Sequence, residues 1–313
     1  MAACEVIKPG MLTTVQDAGR WGHQAHGVPV AGPMDPVSFR LANALVGNAS
    51  TDAALEITLI GPELEFDDER FVAITGAAFD VRIDSWEVPM YACVPVPPGG
   101  RIRFGRRQRG ARAYLAIEGG IGIAPTLGSQ ATHVISAMGG LQGRALKAGD
   151  RLPLGRKIAK RAPTKTLPVA PVVPLPSTHA RLRVLPGPQL DLFASNALDV
   201  LQSGPYVIAH NSDRMGFRLE GPRLPHVGSA DIISDATPLG VLQVPASGLP
   251  ILLMADRQTT GGYPKIATLI TADLAIAGQL APGDAISFSV CTPREAMAAL
   301  IAQERALRRA EGD

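Results

Sequence analysis

Short apolar runs separated by glycine and proline turns recur along most of the chain. Val6-Ile7 precedes Lys8-Pro9-Gly10, and Leu55-Glu56-Ile57-Thr58-Leu59 alternates apolar and polar before Gly61-Pro62. Leu64-Glu65-Phe66, Phe71 to Ile74, Phe79 to Ile83, Ala92 to Val96 and Arg101 to Phe104 follow at short spacing. Such runs predict strands, and their close succession predicts a meander or barrel rather than alternating β and α units. Helical spacing is confined to a few places. Asp35 is a good N-cap, Pro36 suits the first helical position, and Gly47-Asn48 supplies a stop; between them Val37, Leu41 and Leu45, with Ala42 and Val46, make one apolar face. Arg40 and Asn43 fall off that face, and Asp35 reads as a cap in preference to a catalytic acid. Near the C-terminus Thr292-Pro293-Arg294-Glu295 is a capping box, followed by a narrow stripe of Met297, Leu300, Ile301 and Leu307. Arg305, Arg308 and Arg309 sit where the helix dipole favours cations, and the helix reads as structural.

Two turn signatures repeat. Pro97-Pro98-Gly99-Gly100, Lys147-Ala148-Gly149-Asp150 and Ala281-Pro282-Gly283-Asp284 each lead into a short apolar-alternating strand. Gly61-Pro62, Gly187-Pro188 and Gly221-Pro222 form a second set, and together the echoes suggest two related β-domains. With 313 residues the chain exceeds the usual single-domain size. Pro163, Pro168, Pro171, Pro174 and Pro176 mark a semi-extended linker or edge crossing, so the expected division is residues 1–160, a linker at 161–179, and 180–313.

Composition adds mainly exclusions. The 30 basic and 28 acidic residues leave a net charge of +2, which gives no electrostatic case for nucleic acid. Arg101, Arg103, Arg106, Arg107, Arg109 and Arg112 do cluster, and read as a solvated edge that discourages strand pairing. Cys4, Cys93 and Cys291 are far apart with no CxxC, which indicates neither a disulfide framework nor a zinc site and fits a reducing cytoplasm. The first ten residues lack the apolar core of a signal peptide, and no apolar segment reaches the ~18 residues of a membrane span. No P-loop, HExxH or GxSxG motif occurs, and Gly119-Gly120-Ile121-Gly122 fails the dinucleotide spacing. His23 and His26 are close in a glycine-rich loop, where a functional pair is the lesser reading, and no metal site is indicated.

The candidate chemistry lies in three polar loops. Asp256-Arg257-Gln258-Thr259-Thr260-Gly261-Gly262-Tyr263-Pro264 is held between the apolar runs Ile251 to Met254 and Ile266 to Ile270. It reads either as a polar hairpin with a Gly-Gly hinge or as a site able to recognise a planar amide or carboxylate. Thr13-Thr14-Val15-Gln16-Asp17-Ala18-Gly19-Arg20 echoes it, and Asn211-Ser212-Asp213-Arg214-Met215-Gly216-Phe217-Arg218 is the third. An arginine can fork onto a carboxylate or phosphate and a neighbouring aspartate can orient it or act as a base; equally, each Asp–Arg combination can simply tie a loop.

Pro9-Gly10, Thr13 to Asp17, Gly19-Arg20, Gly27-Val28-Pro29 and Met34-Asp35 resemble the opening signature of the allophanate hydrolase subunit 2 family, also termed KipA-like or the 5-oxoprolinase C-type family. Asp213-Arg214-Met215-Gly216, Ser234-Asp235, Thr237-Pro238-Leu239-Gly240 and Asp256 to Pro264 continue the resemblance, which spans roughly Val6 to Phe288. Ser129-Gln130-Ala131-Thr132 departs from the Ser-Arg-Ser-Thr expected there.

The resemblance implies a mainly β fold of two cyclophilin-like β-barrel domains with a few short helices and a C-terminal helix. It implies one chain of an ATP-dependent 5-oxoprolinase, acting with two further proteins, one KipI-like and one LamB/YcsF-like, to open the lactam of 5-oxoproline to glutamate. On the matching positions, Arg20, Arg214 and Arg257 would hold the substrate carboxylate or a phosphorylated lactam oxygen, and Asp17 or Asp256 would position water or take a proton. Gln16, Gln258, Thr259 and Tyr263 would read the ring amide, with Thr260, Gly261 and Gly262 completing the substrate loop. ATP would be used by the complex. Similarity to the carboxyltransferase domain of urea carboxylase gives an alternative, carboxyl transfer from biotin to urea or a related amide; no Met-Lys-Met biotinyl segment occurs, so biotin would come from another chain. A regulatory binding protein that antagonises a kinase inhibitor is the non-enzyme alternative.

Overall fold

The computed structural model describes residues 2–157 and 172–312. The chain divides into two compact units: Met1–Trp21 with Ala31–Leu175 and Ala306–Asp313, and Gly22–Val30 with Pro176–Arg305. The first part of the expected linker, 161–171, lies outside the described residues.

In the first unit the apolar runs form β1 (Ala3–Lys8), β2 (Leu12–Gln16), β3 (Ala54–Thr58), β4 (Glu63–Phe66), β5 (Arg70–Ile83), β6 (Trp86–Glu87), β7 (Cys93–Val96), β8 (Arg101–Ile117) and β9 (Arg151–Pro153). They build one curled nine-stranded sheet in the order β2-β3-β8-β4-β1-β9, with β5 pairing β6, β7 and β8. Its core gathers Val6, Leu55, Ile57, Leu64, Phe66, Val72, Ile102 and Leu115. Helix α1 (Pro36–Leu45) starts as the sequence predicts: Asp35 accepts from the Ser38 N–H at 2.9 Å and Pro36 occupies the first turn.

The arginine cluster differs from its expectation. Arg101 and Arg103 lie on a stretch of β8 paired with β4 on one side and with β5 across Arg103, and they form ion pairs with Glu65 and Glu63 at 2.5 and 2.9 Å. Opposite charges facing one another across the ladder stabilise this pairing rather than blocking it.

The second unit is a closed barrel. Strands β10 (His179–Pro186), β11 (Tyr206–Ile208), β12 (Gly216–Glu220), β14 (Val241–Gln243), β15 (Ile251–Leu253), β17 (Lys265–Leu269) and β18 (Ala285–Val290) run in the order β10-β17-β14-β15-β12-β11-β18. Parallel pairing of β18 with β10, from Ala285 opposite His179 to Val290 opposite Val184, closes it. Leu182, Val184, Tyr206, Phe217, Leu219, Leu242, Leu252, Ile266, Ile286 and Phe288 are buried there. Short strands β13 (Asp235–Ala236) and β16 (Thr260–Gly261) form a separate ribbon, and α2 (Ala197–Gln202) and α3 (Leu274–Gly278) are brief. Helix α4 (Pro293–Glu311) carries the predicted capping box, with the Glu295 N–H donating to Thr292 Oγ1 and the Thr292 N–H to Glu295. Its apolar stripe is only partly covered: Leu307 is buried, whereas Met297 is 57% and Ile301 44% exposed.

The repeated turns share one geometry. Gly149 and Gly283 both have positive φ, and both donate a backbone N–H to a strand carbonyl at 2.8 Å, Val6 in one unit and Ile208 in the other. The next residue closes each turn. Asp150 accepts from the Lys147 N–H at 2.7 Å, and Asp284 from the Ala281 N–H at 2.8 Å. The glycine meets the left-handed backbone and the aspartate satisfies a donor that the turn leaves open.

Candidate functional site

The segment from Ala255 to Pro264 leaves β15 and enters β17, so barrel strands anchor both its ends. Two backbone bonds dock its start on the Asp213–Met215 loop: Met254 N–H to Met215 O and Asp256 N–H to Arg214 O, both 2.8 Å. The side chains repeat that docking. Arg214 forks onto Asp256, Nε to Oδ2 at 2.9 Å and Nη2 to Oδ1 at 3.0 Å, with both residues buried. Arg257 turns the other way and donates from Nε to the Thr237 carbonyl at 2.8 Å. Burial lowers the pKa of its guanidinium, with neighbouring Asp256 opposing that shift.

Further along, Thr237 Oγ1 donates to the Gln258 carbonyl, and the Thr237 N–H to the Thr259 carbonyl at 3.1 Å. Thr260 and Gly261 pair with Ala236 and Asp235. Gly261 is required by close approach: a Cβ there would lie 2.6 Å from Gln243 Nε2 and 3.2 Å from Thr237 Cγ2. Gly262 accepts the Ile232 N–H at 2.8 Å. Lys265, almost fully buried, reaches the Asp235 carboxylate and holds the ribbon to the barrel; that hydrogen bond sets the Asp235 carboxyl below the ordinary aspartate range.

Gln258 and Tyr263 are the members of this segment that reach a cavity. It measures about 340 Å³ and is lined by Asn211, Asp213, Met215, Gly216, Arg218, Gln243, Pro245, Ile251, Leu253, Gln258 and Tyr263. Strand alternation places it on the outer face of the barrel wall. Phe217, Leu242 and Leu252 point to the core, so Gly216, Arg218, Gln243, Ile251 and Leu253 on the same three strands face outward. Gln243 is buried and ties the wall together: its Oε1 accepts from Gln258 Nε2 at 3.2 Å and its Nε2 donates to the Tyr263 carbonyl at 3.4 Å. Asp213 Oδ1 accepts from the Met215 N–H at 2.7 Å, an Asx turn that fixes the cavity rim.

Asn211, Asp213 and Arg218 belong to the third polar loop read from the sequence but received no site role there, and Gln243 was not singled out. The signal for Arg218 was present, since Phe217-Arg218-Leu219 alternates and sends one arginine to the face opposite the core. Gln243 is a polar residue within an apolar strand, a position that a core strand gives up only to a hydrogen-bonded group.

In the first unit, Gln16, Asp17 and Arg20 organise the loop from Thr126 to Thr132. Asp17 accepts from the Gly19 N–H at 2.9 Å, Ser129 Oγ at 2.6 Å and the Gln130 N–H at 2.5 Å. Arg20 is fully buried and donates to the Thr126 carbonyl at 2.8 Å and the Ala131 carbonyl at 2.9 Å, with burial lowering its pKa. Gln16 Nε2 donates to Thr14 Oγ1 and to the Thr132 carbonyl. Gln130, where the resemblance led us to expect arginine, donates to the Ile121 and Ile123 carbonyls at 2.7 and 2.5 Å. Asp17, Gly19, Trp21 and Gln130 also border an open hollow of about 530 Å³. His23 precedes a single 3-10 turn ending at His26. Among the described residues no group of three or more His, Cys, Asp or Glu side chains could hold a metal, and no helix is long and apolar enough to cross a membrane.

The seven-stranded barrel, the curled sheet and the polar loops between their strands are the architecture of a carboxyltransferase domain. Residues 26–290 match the family described as carboxyltransferase domain, subdomain A and B, and the chain belongs to it. Among its relatives, it is 40% identical to the C subunit of 5-oxoprolinase from Escherichia coli strain K12, over 96% of this chain and 95% of that protein. It is 35% identical to the C subunit of 5-oxoprolinase from Haemophilus influenzae, over 93% of this chain and 92% of that one. The structure of K. lactis urea amidolyase superposes with a TM-score of 0.91 at 33% identity, covering 98% of this chain and 20% of that much longer one.

Proposed function

We propose that this chain is the C subunit of an ATP-dependent 5-oxoprolinase, acting with two further proteins, one KipI-like and one LamB/YcsF-like, to convert 5-oxoproline to glutamate. The observation that carries the reading is length-for-length similarity: the alignment takes in 96% of this chain and 95% of the E. coli protein named as the 5-oxoprolinase C subunit.

The second-unit cavity supports it. At about 340 Å³ it lies at the small end of ligand pockets, a size suited to a five-membered lactam. Gln258 and Tyr263 supply amide and phenol groups for the ring amide. Arg257 and Asp256 stand behind Gln258 in the chain, and in this reading they fix the loop that presents it, with Arg214 as the clamp. Asp17, Arg20 and Gln16 hold the Thr126–Thr132 loop in the same supporting sense. The cavity walls carry one arginine and no glycine-rich phosphate loop, which does not fit a triphosphate, so in this reading the cavity takes the lactam and ATP is used elsewhere in the complex.

The test is ATP-dependent glutamate release from 5-oxoproline by the co-purified three-protein complex, with each protein omitted in turn. Turnover that disappears when this chain is left out is the expected result. An intact complex without turnover would overturn the reading.

A second reading, carboxyl transfer from biotin on another chain to an amide, is favoured by the family assignment and by the urea amidolyase superposition. The same complex supplied with a carboxylated biotinyl domain and urea tests it.

A further inference from the structure

We propose that Arg218 and Asp213 form the part of the cavity that recognises a carboxylate-bearing lactam and rejects amides lacking the carboxylate. The inference rests on the 5-oxoprolinase reading and adds to it the two residues that set substrate class.

The argument starts from what each group still has to offer. Arg218 lies on β12 with its side chain on the cavity face, and among the described residues its guanidinium has no ion-pair partner. Three other arginines show the alternative: Arg214, Arg183 and Arg144 are each forked onto an aspartate and so are committed to the fold. A guanidinium that lines a cavity without a protein carboxylate has its bidentate donor edge available for a ligand carboxylate. Asp213 shares the wall. Its Oδ1 is occupied by the Met215 and Gly216 N–H groups at 2.7 and 3.4 Å, while among the described residues Oδ2 accepts nothing. The Asx turn therefore immobilises one oxygen and leaves the other as a fixed acceptor.

The remaining walls complete a pattern. Gln258 and the Tyr263 phenol offer donors, and Met215, Pro245, Ile251 and Leu253 offer apolar surface. A γ-lactam with a ring carboxylate presents the matching set: an anionic acceptor for Arg218, one N–H for Asp213 Oδ2, one carbonyl for Gln258 or Tyr263, and methylenes for the apolar floor. Urea presents neither a carboxylate nor methylenes. Bound in its place it would leave the Arg218 guanidinium, exposed at the cavity wall, to water and the apolar floor uncovered, so discrimination comes from contacts that 5-oxoproline gains and urea cannot make.

The test uses the three-protein complex and two probes, 5-oxoproline and 2-pyrrolidone, which differ by the carboxylate. Calorimetric binding and steady-state turnover are measured for the native complex, Arg218→Gln, Arg218→Lys and Asp213→Asn. Arg218→Gln is expected to raise KM for 5-oxoproline by about tenfold, the low end for losing a hydrogen bond to a charged group because Arg218 is exposed, with kcat changed far less. Arg218→Lys should recover part of that loss because it keeps the charge without the fork. Asp213→Asn retains the turn oxygen but points a donor at the lactam N–H, and should weaken 5-oxoproline and 2-pyrrolidone alike. Native-like KM and binding in Arg218→Gln, in a complex whose native form turns over, would overturn the inference while leaving the 5-oxoprolinase reading intact. A native complex that neither binds nor turns over 5-oxoproline would overturn both.

Discussion

Arg214 and Asp256 meet in a buried, two-bond fork, 2.9 and 3.0 Å, that locks the loop before β12 to the loop after β15. Each charge was desolvated on folding, and the fork compensates both. Asp256→Ala would remove the two-bond fork from the buried guanidinium and is expected to cost about 3–5 kcal/mol in urea unfolding, the range for breaking one side of a buried ion pair. The double change Arg214→Met with Asp256→Leu should recover most of that loss. A native-like urea midpoint for Asp256→Ala would remove the clamp role assigned to the pair.

Gly261 makes a different kind of prediction. A methyl there collides with Gln243 Nε2 at 2.6 Å, the far end of a buried side chain that also holds Gln258 and the Tyr263 carbonyl. That amide can yield only by giving up those bonds, so Gly261→Ala should cost about 1–3 kcal/mol of stability, the range of overpacking effects. The cavity wall would shift with it, so affinity for 5-oxoproline should fall about tenfold, equivalent to about 1.4 kcal/mol. Unchanged affinity together with lost stability would show that Gln243 braces the barrel without shaping the cavity.

Local features of this fold were legible in the sequence. The Asp35 cap, the Thr292–Glu295 box and the glycine–aspartate turns at 149–150 and 283–284 are each decided by residues within four positions of one another. What sequence could not show depends on distant partners. The runs Phe71–Ile74 and Phe79–Ile83 are one strand, β5, because β8 stays paired through register shifts at Gly76, Ala78 and Phe79. Glu56, which reads as the polar side of an alternating strand, is buried because the Met34 N–H and the Tyr114 hydroxyl supply donors at 2.8 and 2.7 Å. At the site, the Asp/Arg loops were visible as chemistry, but residue types alone could not say which arginine stays available. Arg214 and Arg218 are four residues apart, and only the position of Asp256 separates a clamp from a ligand group.

Asp150 carries a pH dependence. The Arg144 fork, at 2.7 and 2.8 Å, is the largest influence on its carboxyl and holds it below the ordinary aspartate value, with the Lys147 N–H assisting and partial burial opposing. A depressed folded pKa means that the carboxylate stabilises the fold above the unfolded value, about 3.9, and that this contribution is lost as pH falls through the folded value. Asp150→Asn should therefore lower stability at pH 7 by about 1.5–3 kcal/mol, the range for hydrogen bonds to a charged group. The gap between variant and native protein should narrow as pH drops below about 4, where the unfolded carboxyl begins to take up its proton. A gap independent of pH would mean that the amide preserves the turn and that the Arg144 fork contributes little.

The three thiols should differ sharply in reactivity. Cys4 and Cys93 are buried in the first unit, whereas Cys291 is half-buried after β18. Burial pushes the Cys93 thiol up to about 11, with Glu118 adding to the shift, and pushes Cys4 higher still. The thiolate is the nucleophile, so at pH 8 roughly one Cys93 in a thousand is reactive even before access is considered. Cys291 is also raised by burial, with Glu295 adding and Arg183 opposing, but part of its surface meets solvent. Brief iodoacetamide treatment at pH 8 should add one carbamidomethyl group, at Cys291, and three after unfolding in guanidinium chloride. Modification of Cys93 in the native protein at the rate of an unfolded thiol would show that the β5–β7 edge opens on the labelling timescale, and that the first-unit core is less tightly closed than its packing indicates.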